Sequence, residues 1–169
     1  MKYLALYHAN LNYAFLEPHK YEQVIRASYE TIVDGHAKFG PEAKYIFEAS
    51  GFTIDIMAEK CPEVLAKLRR AIESGQCEFM GAPYAHPLMA NIPEEDGYWS
   101  CEFSQRSYQR HLGFRAESFW NPECTWMQYV PRAFKRAGAK YLTLDFESYM
   151  TGNDPEYAWL EKNRARDIS

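Results

Sequence analysis

The segment Ser118-Phe119-Trp120-Asn121-Pro122-Glu123 sets a single carboxylate just beyond an apolar, aromatic run and directly behind a proline. Proline has no N–H to donate and drives the residue before it into extended backbone, so the run stops at Asn121 and Glu123 falls on a turn. In alternating β/α folds, ligands bind and catalytic groups collect at the carboxyl ends of strands. An acid on such a turn is therefore a candidate for chemistry.

Every other short apolar run also carries an ionisable group. His8 follows Tyr3–Tyr7 and Glu48 follows Tyr45–Phe47. Glu78 and His86 belong to the run Gln76–Met80 and the loop behind it, and Asp145 and Glu147 follow Lys140–Leu144. If the runs are parallel strands, these groups share one side of a sheet, where carboxylates held close together split their pKa values between an acid and a base. Each also has a plainer reading. His8 equally suits a buried histidine bonded to backbone, Glu48 reads first as a cap for the helix that follows, and His86 reads as a loop residue. Glu78 lies inside Cys77-Glu78-Phe79-Met80, where an unpaired carboxylate is costly, so it demands a partner or a polar site. Asp145 and Glu147 alternate along one extension, so at most one of them faces a pocket.

The elements that must position these groups alternate. From about residue 20 to residue 39, Tyr21, Val24, Ile25, Tyr29, Ile32 and Val33 recur at helical spacing, and Gly40-Pro41 ends the stretch. A second helical stretch begins at Ile54–Met57. Pro62 starts another, with Val64, Leu65, Leu68 and Ile72 inward and Gly75 at its end. Pro93 followed by Glu94, Glu95 and Asp96 opens a helix reaching about His111, since negative charge favours a helix N-terminus. A final helix spans about Gln128 to Arg136. Five βα units in this order predict an α/β fold with a parallel sheet and right-handed crossovers, either open and doubly wound or curved as part of a barrel.

Composition removes several function classes. The 169 residues, 47% hydrophobic and 25% charged, suit one soluble domain with a full core. A net charge of −4 argues against nucleic acid or an anionic membrane as partner, and Lys67, Arg69 and Arg70 read as a solvated helix face. The four cysteines form no C-x-x-C pair, which gives no zinc-ribbon or redox signature and suits reduced thiols. With no basic leader and no apolar run of spanning length, the expected location is cytoplasmic. Thirteen tyrosines and four tryptophans exceed what a small core needs and are compatible with stacking on flat, hydroxylated ligands.

Taken in order, Gly75-Gln76-Cys77-Glu78-Phe79, Tyr84-Ala85-His86-Pro87, Ile92-Pro93-Glu94-Glu95-Asp96 and Trp120-Asn121-Pro122-Glu123 resemble glycoside hydrolase family 57, and the likeness extends from His8 to about Gly152. The resemblance implies an incomplete, seven-stranded (β/α) barrel that acts on α-glucans with retention, as hydrolase or 4-α-glucanotransferase, with an oligosaccharide substrate and no metal or other cofactor. The family's tryptophan-x-x-glutamate motif falls on Trp120 and Glu123, making Glu123 the implied nucleophile. Its Gly-Gln-x-Glu motif falls on Gly75, Gln76 and Glu78, which implies that Glu78 binds sugar hydroxyls or tunes the nucleophile. Its His-Gln-Pro motif falls on His8-Ala9-Asn10, where only the histidine is kept. Trp120, His86 and Asp145 are the further expected substrate contacts.

A retaining glycosidase needs a second carboxyl group about 5 Å from the nucleophile. In the family it is an aspartate on a later strand, and Asp145 comes too early to match it. Residues 1–169 are therefore expected to form one unit, an N-terminal portion of the family domain with about five of the seven strands, inactive alone. Two other readings stand beside this one. A metal-dependent polysaccharide deacetylase would share the architecture, although His8, His36, His86 and His111 are far apart in the chain; a carbohydrate-binding remnant would keep the cleft without the chemistry.

Overall fold

In the computed structural model, which describes residues 5–12 and 16–145, the apolar runs become five strands. They are Leu6–Ala9 (β1), Tyr45–Ser50 (β2), Cys77–Ala82 (β3), Ser118–Trp120 (β4) and Tyr141–Thr143 (β5), all parallel and in the order β1-β2-β3-β4-β5. Tyr3, Glu147 and the stretch 161–169 lie outside the described residues.

The first connection is one long helical passage with a local change of pitch. Tyr21–Val24 (α1) runs through a π-helical segment, Ile25–Glu30, into Thr31–Phe39 (α2). Its buried residues are Tyr21, Ile25, Tyr29 and Val33, a strict four-residue repeat. An α-helix of about 3.6 residues per turn would rotate that repeat away from the sheet. The wider π turn rotates it back, so all four reach the core.

Gly51–Lys60 (α3) and Pro62–Glu73 (α4) follow β2, and Gly75 takes φ +72° at the return to β3. Ser50 caps α3, its Oγ accepting from the Thr53 N–H at 3.2 Å. Sequence reasoning gave that role to Glu48, which is instead part of β2; the Ser-x-x-Thr spacing was the available signal. β2 and β3 also run further than the apolar runs suggested, to Ser50 and Ala82, because both remain buried to their carboxyl ends. Glu94–His111 (α5) and Val130–Arg136 (α6) complete the layer and are joined by the pairs Arg132–Glu94 and Arg136–Glu95, each at 2.8 Å.

Side-chain alternation makes the sheet two-faced. One face carries Phe47, Phe79 and Phe119, which meet Tyr29 of the π segment, Tyr108 of α5 and Phe134 of α6 edge-on at centroid distances of 5.9, 4.9 and 5.6 Å. The other carries His8, Glu48, Met80, Ser118 and Tyr141 at one level, with Trp120 and Thr143 above and Glu78 below, and no described helix covers it. A doubly wound sheet needs helices on both faces and a reversal in strand order. Sequential order with one covered face is instead the geometry of a curved barrel segment, its uncovered face turned inward.

Two polar side chains lock the layers together from inside the core. The Tyr108 hydroxyl accepts from the Ala82 N–H at 3.0 Å and donates to the Ala49 carbonyl at 2.6 Å, bridging the carboxyl ends of β2 and β3. Gln105 donates to the carbonyls of Ala116 and Ala137 and accepts from the Ala116 N–H, fixing the chain just before β4 and just before β5. Both side chains are fully buried, so each satisfies backbone groups that water cannot reach.

Candidate active site

The inward face brings four of the expected residues to its carboxyl end. In the parallel register His8 of β1 pairs with Glu48 of β2, and Glu48 pairs with Met80 of β3. His8 Nδ1 lies 2.8 Å from Glu48 Oε2; the acceptor is a carboxylate, so the proton belongs to the ring nitrogen. The His8 ring meets the Trp120 ring edge-on at 4.5 Å. The His8 pKa is raised above its usual 6.5 by the hydrogen bond to Glu48, which outweighs the lowering effect of burial, next in size; the charges of Glu48 and Glu123 add to the rise. Glu123 is thus within electrostatic reach of His8.

Glu123 is exposed and occupies a strained turn. Glu123 and Cys124 both take left-handed backbone, at φ +53° and +51°, and each such non-glycine residue costs about 1–2 kcal/mol. The turn is held by Cys124 N–H donating to the Asn121 carbonyl at 3.0 Å and by the buried Asn121 amide donating to the Thr125 carbonyl at 2.6 Å. Strain of this kind collects where backbone must aim a functional side chain.

His86 arrives from the loop after β3, also with left-handed backbone at φ +54°. Its Nε2 lies 3.5 Å from Glu48 Oε1, and neither atom has a hydrogen-bond partner among the described residues although both are buried. Glu48 is 0% exposed, so one fully buried carboxylate stands between two imidazoles. Sequence reasoning missed this role because Glu48 and His8 are forty positions apart and meet only through strand register.

Two expected site residues stand apart from the His8–Glu48–His86 cluster. Glu78 is on the inward face but pairs with Ile46, two residues before Glu48, which sets it about 6.6 Å below the His8–Glu48 level. It is exposed, and with Met80, Ser118, Tyr141 and Thr143 it lines a shallow hollow on the open face, so the partner that burial would have demanded is not required. Gln76, its motif neighbour, donates to the carbonyls of His36 and Gly40 and so serves the fold at the opposite edge. Asp145 is exposed just beyond β5. Among the described residues, no group of three or more His, Cys, Asp or Glu side chains could hold a metal ion.

A family model for glycosyl hydrolase family 57 matches residues 1–167. The chain belongs to that family. It is 30% identical over 131 residues to a 4-alpha-glucanotransferase of Thermococcus litoralis, covering 78% of this chain and 20% of that protein. It is 26% identical over 140 residues to an alpha-amylase of Pyrococcus horikoshii, covering 83% and 21% respectively. The family 57 chain thus spans about a fifth of the length of these relatives. The crystal structure of the T. litoralis glucanotransferase superposes with a TM-score of 0.71 at 25% identity over 89% of this chain and 23% of that one. A family 4 carbohydrate esterase from Streptomyces lividans shares the fold, with a TM-score of 0.59 at 12% identity over 85% of this chain and 62% of its own.

The described helices include none long and apolar enough to cross a membrane. The His8–Glu48 pair gives the site a testable pH dependence. Protonated His8 stabilises the folded chain, fully below about pH 6.5 and progressively less as the pH rises through the higher folded-state value. The side chain is 45% exposed, so screening keeps the effect small. Thermal melts across roughly pH 6 to 8 are expected to show a decline in melting temperature that is reduced in His8→Gln.

Proposed function

We propose that this chain carries the nucleophile half of a retaining α-glucan hydrolase or 4-α-glucanotransferase. Glu123 attacks the anomeric carbon: its carboxylate oxygen forms the glycosyl ester as the bond to the leaving oxygen breaks. His8, Trp120, Glu78, His86 and Asp145 contribute to holding the sugar. The single observation that carries the reading is the strained turn beyond β4, which sets Glu123, exposed and within electrostatic reach of protonatable His8, at the carboxyl end of the inward sheet face.

Turnover of glucan also needs an acid to protonate the leaving group. We infer that this acid is an aspartate on a strand later than β5, in keeping with relatives of which the matched region is about a fifth, and that residues 1–169 alone do not turn over. The inference suggests a test that spares the missing acid. α-Glucosyl fluoride has a leaving group that departs with its electron pair and needs no proton. The chain is expected to acquire one glucosyl group from it, located at Glu123 by mass spectrometry of its peptides. Labelling elsewhere, or none, would sink the assignment.

A further inference from the structure

We propose that Glu48 is the positioning residue of this site, a buried carboxylate that orients His8 and His86 together and leaves Nε2 of His8 as the ring nitrogen presented to a sugar hydroxyl beside Glu123. The proposal rests on the α-glucan reading for its ligand and on geometry for its mechanism.

A fully buried acid on an otherwise apolar strand is expensive unless its oxygens are satisfied. Glu48 meets half of that demand with one strong, charge-assisted hydrogen bond to His8 at 2.8 Å. Because a carboxylate accepts and cannot donate, this bond fixes the proton on His8 Nδ1. The opposite nitrogen, Nε2, then accepts from a hydroxyl when the ring is neutral and donates to one when it is charged. A carboxylate behind a histidine is the arrangement that sets ring orientation in metal sites, and the same hydrogen bond orients a ring that faces a hydroxyl.

The second oxygen is the more informative. Glu48 Oε1 and His86 Nε2 are both buried, both without a hydrogen-bond partner among the described residues, and 3.5 Å apart. A small closure would satisfy both at once, and catalytic hydrogen bonds that are long without ligand commonly tighten when it binds. The loop that brings His86 there is tied down on three sides. Tyr84 donates to Asp55 of α3 at 2.8 Å, the Tyr84 N–H donates to the Ser100 carbonyl of α5 at 3.0 Å, and the Asn12 side chain beyond β1 donates to the Ala85 carbonyl at 2.7 Å. His86 therefore holds its left-handed backbone against Glu48 by construction. The charged and titratable groups around His8 are Glu48 of β2, His86 beyond β3 and Glu123 beyond β4, with the Trp120 ring closing the side.

The test uses the 169-residue chain and nitrogen-15 NMR of its histidine rings, with maltohexaose binding followed by calorimetry. In the wild type, His8 is expected to show the Nδ1–H tautomer when neutral. In Glu48→Gln its titration midpoint is expected to fall, and the tautomer to become mixed. Maltohexaose affinity should drop about tenfold in Glu48→Gln, while Glu73→Gln on the outer surface of α4 changes neither quantity. Glu48→Asp, which keeps the charge on a shorter arm, should recover part of the midpoint shift. An Nε2–H tautomer in the wild type overturns the proposal even if Glu48→Gln fails to fold. An unchanged midpoint in a folded Glu48→Gln overturns it as well. A wild-type chain that ignores maltohexaose while His8 responds to Glu48→Gln overturns the α-glucan reading and leaves Glu48 as the anchor of the pair.

Discussion

Replacing Glu123 with glutamine is expected to abolish glucosyl transfer while leaving the fold unchanged. Glutamine keeps the size of the side chain and loses the anionic oxygen that forms the glycosyl ester. In the 169-residue chain the expected result is no covalent label from α-glucosyl fluoride. In a chain extended through the acid/base segment, maltooligosaccharide turnover should fall at least about 10⁴-fold, the order seen when a nucleophile is removed. Structural collateral should be small because Glu123 is exposed and its turn is held by backbone and Asn121 contacts rather than by the carboxylate. Wild-type labelling in Glu123→Gln, or turnover within tenfold, would exclude Glu123 as nucleophile.

Phe119→Ala is expected to have the largest effect on stability, about 3–5 kcal/mol by denaturant titration. Phe119 is fully buried between the sheet and α6, with its ring 5.6 Å from that of Phe134 and 6.5 Å from that of Tyr108. It also closes over Gly81, where an added Cβ would lie 3.1 Å from the Phe119 ring and 2.9 Å from that of Tyr108. The cavity would open directly behind Trp120, next along the same strand. Loss of Trp120 orientation should accompany the destabilisation, measured as a weaker maltohexaose response in a variant still folded at low temperature. A cost below about 1 kcal/mol would mean that the site collapses around the missing ring.

Several parts of this molecule were legible from local chemistry. Pro122 ends β4 whatever surrounds it, so the turn that carries Glu123 follows from covalent geometry. Pro62 and Gly75 bracket α4, and the acids after Pro93 start α5, because first-turn charge and backbone constraints act within a few residues. Where local reasoning failed, the cause was a partner distant in sequence. Glu48 looked like a helix cap, whereas its carboxylate faces His8 and His86, each about forty residues away in sequence. Glu78 looked in need of a partner because a strand inside a parallel sheet is usually covered on both faces; here no described helix covers one face, and Glu78 stands exposed on it.

The sequence by itself determined the βα alternation, the turn beyond β4 and the placement of an acid on it. These depend on proline, glycine, capping and periodicity, which act over a few residues. Tertiary structure decided that the described helices cover the sheet on one side and that His8 and His86 converge on the single buried carboxylate of Glu48. Strand register decides this, and register is fixed by the packing of Phe47, Phe79 and Phe119 against the helical layer, a long-range choice that no single segment encodes.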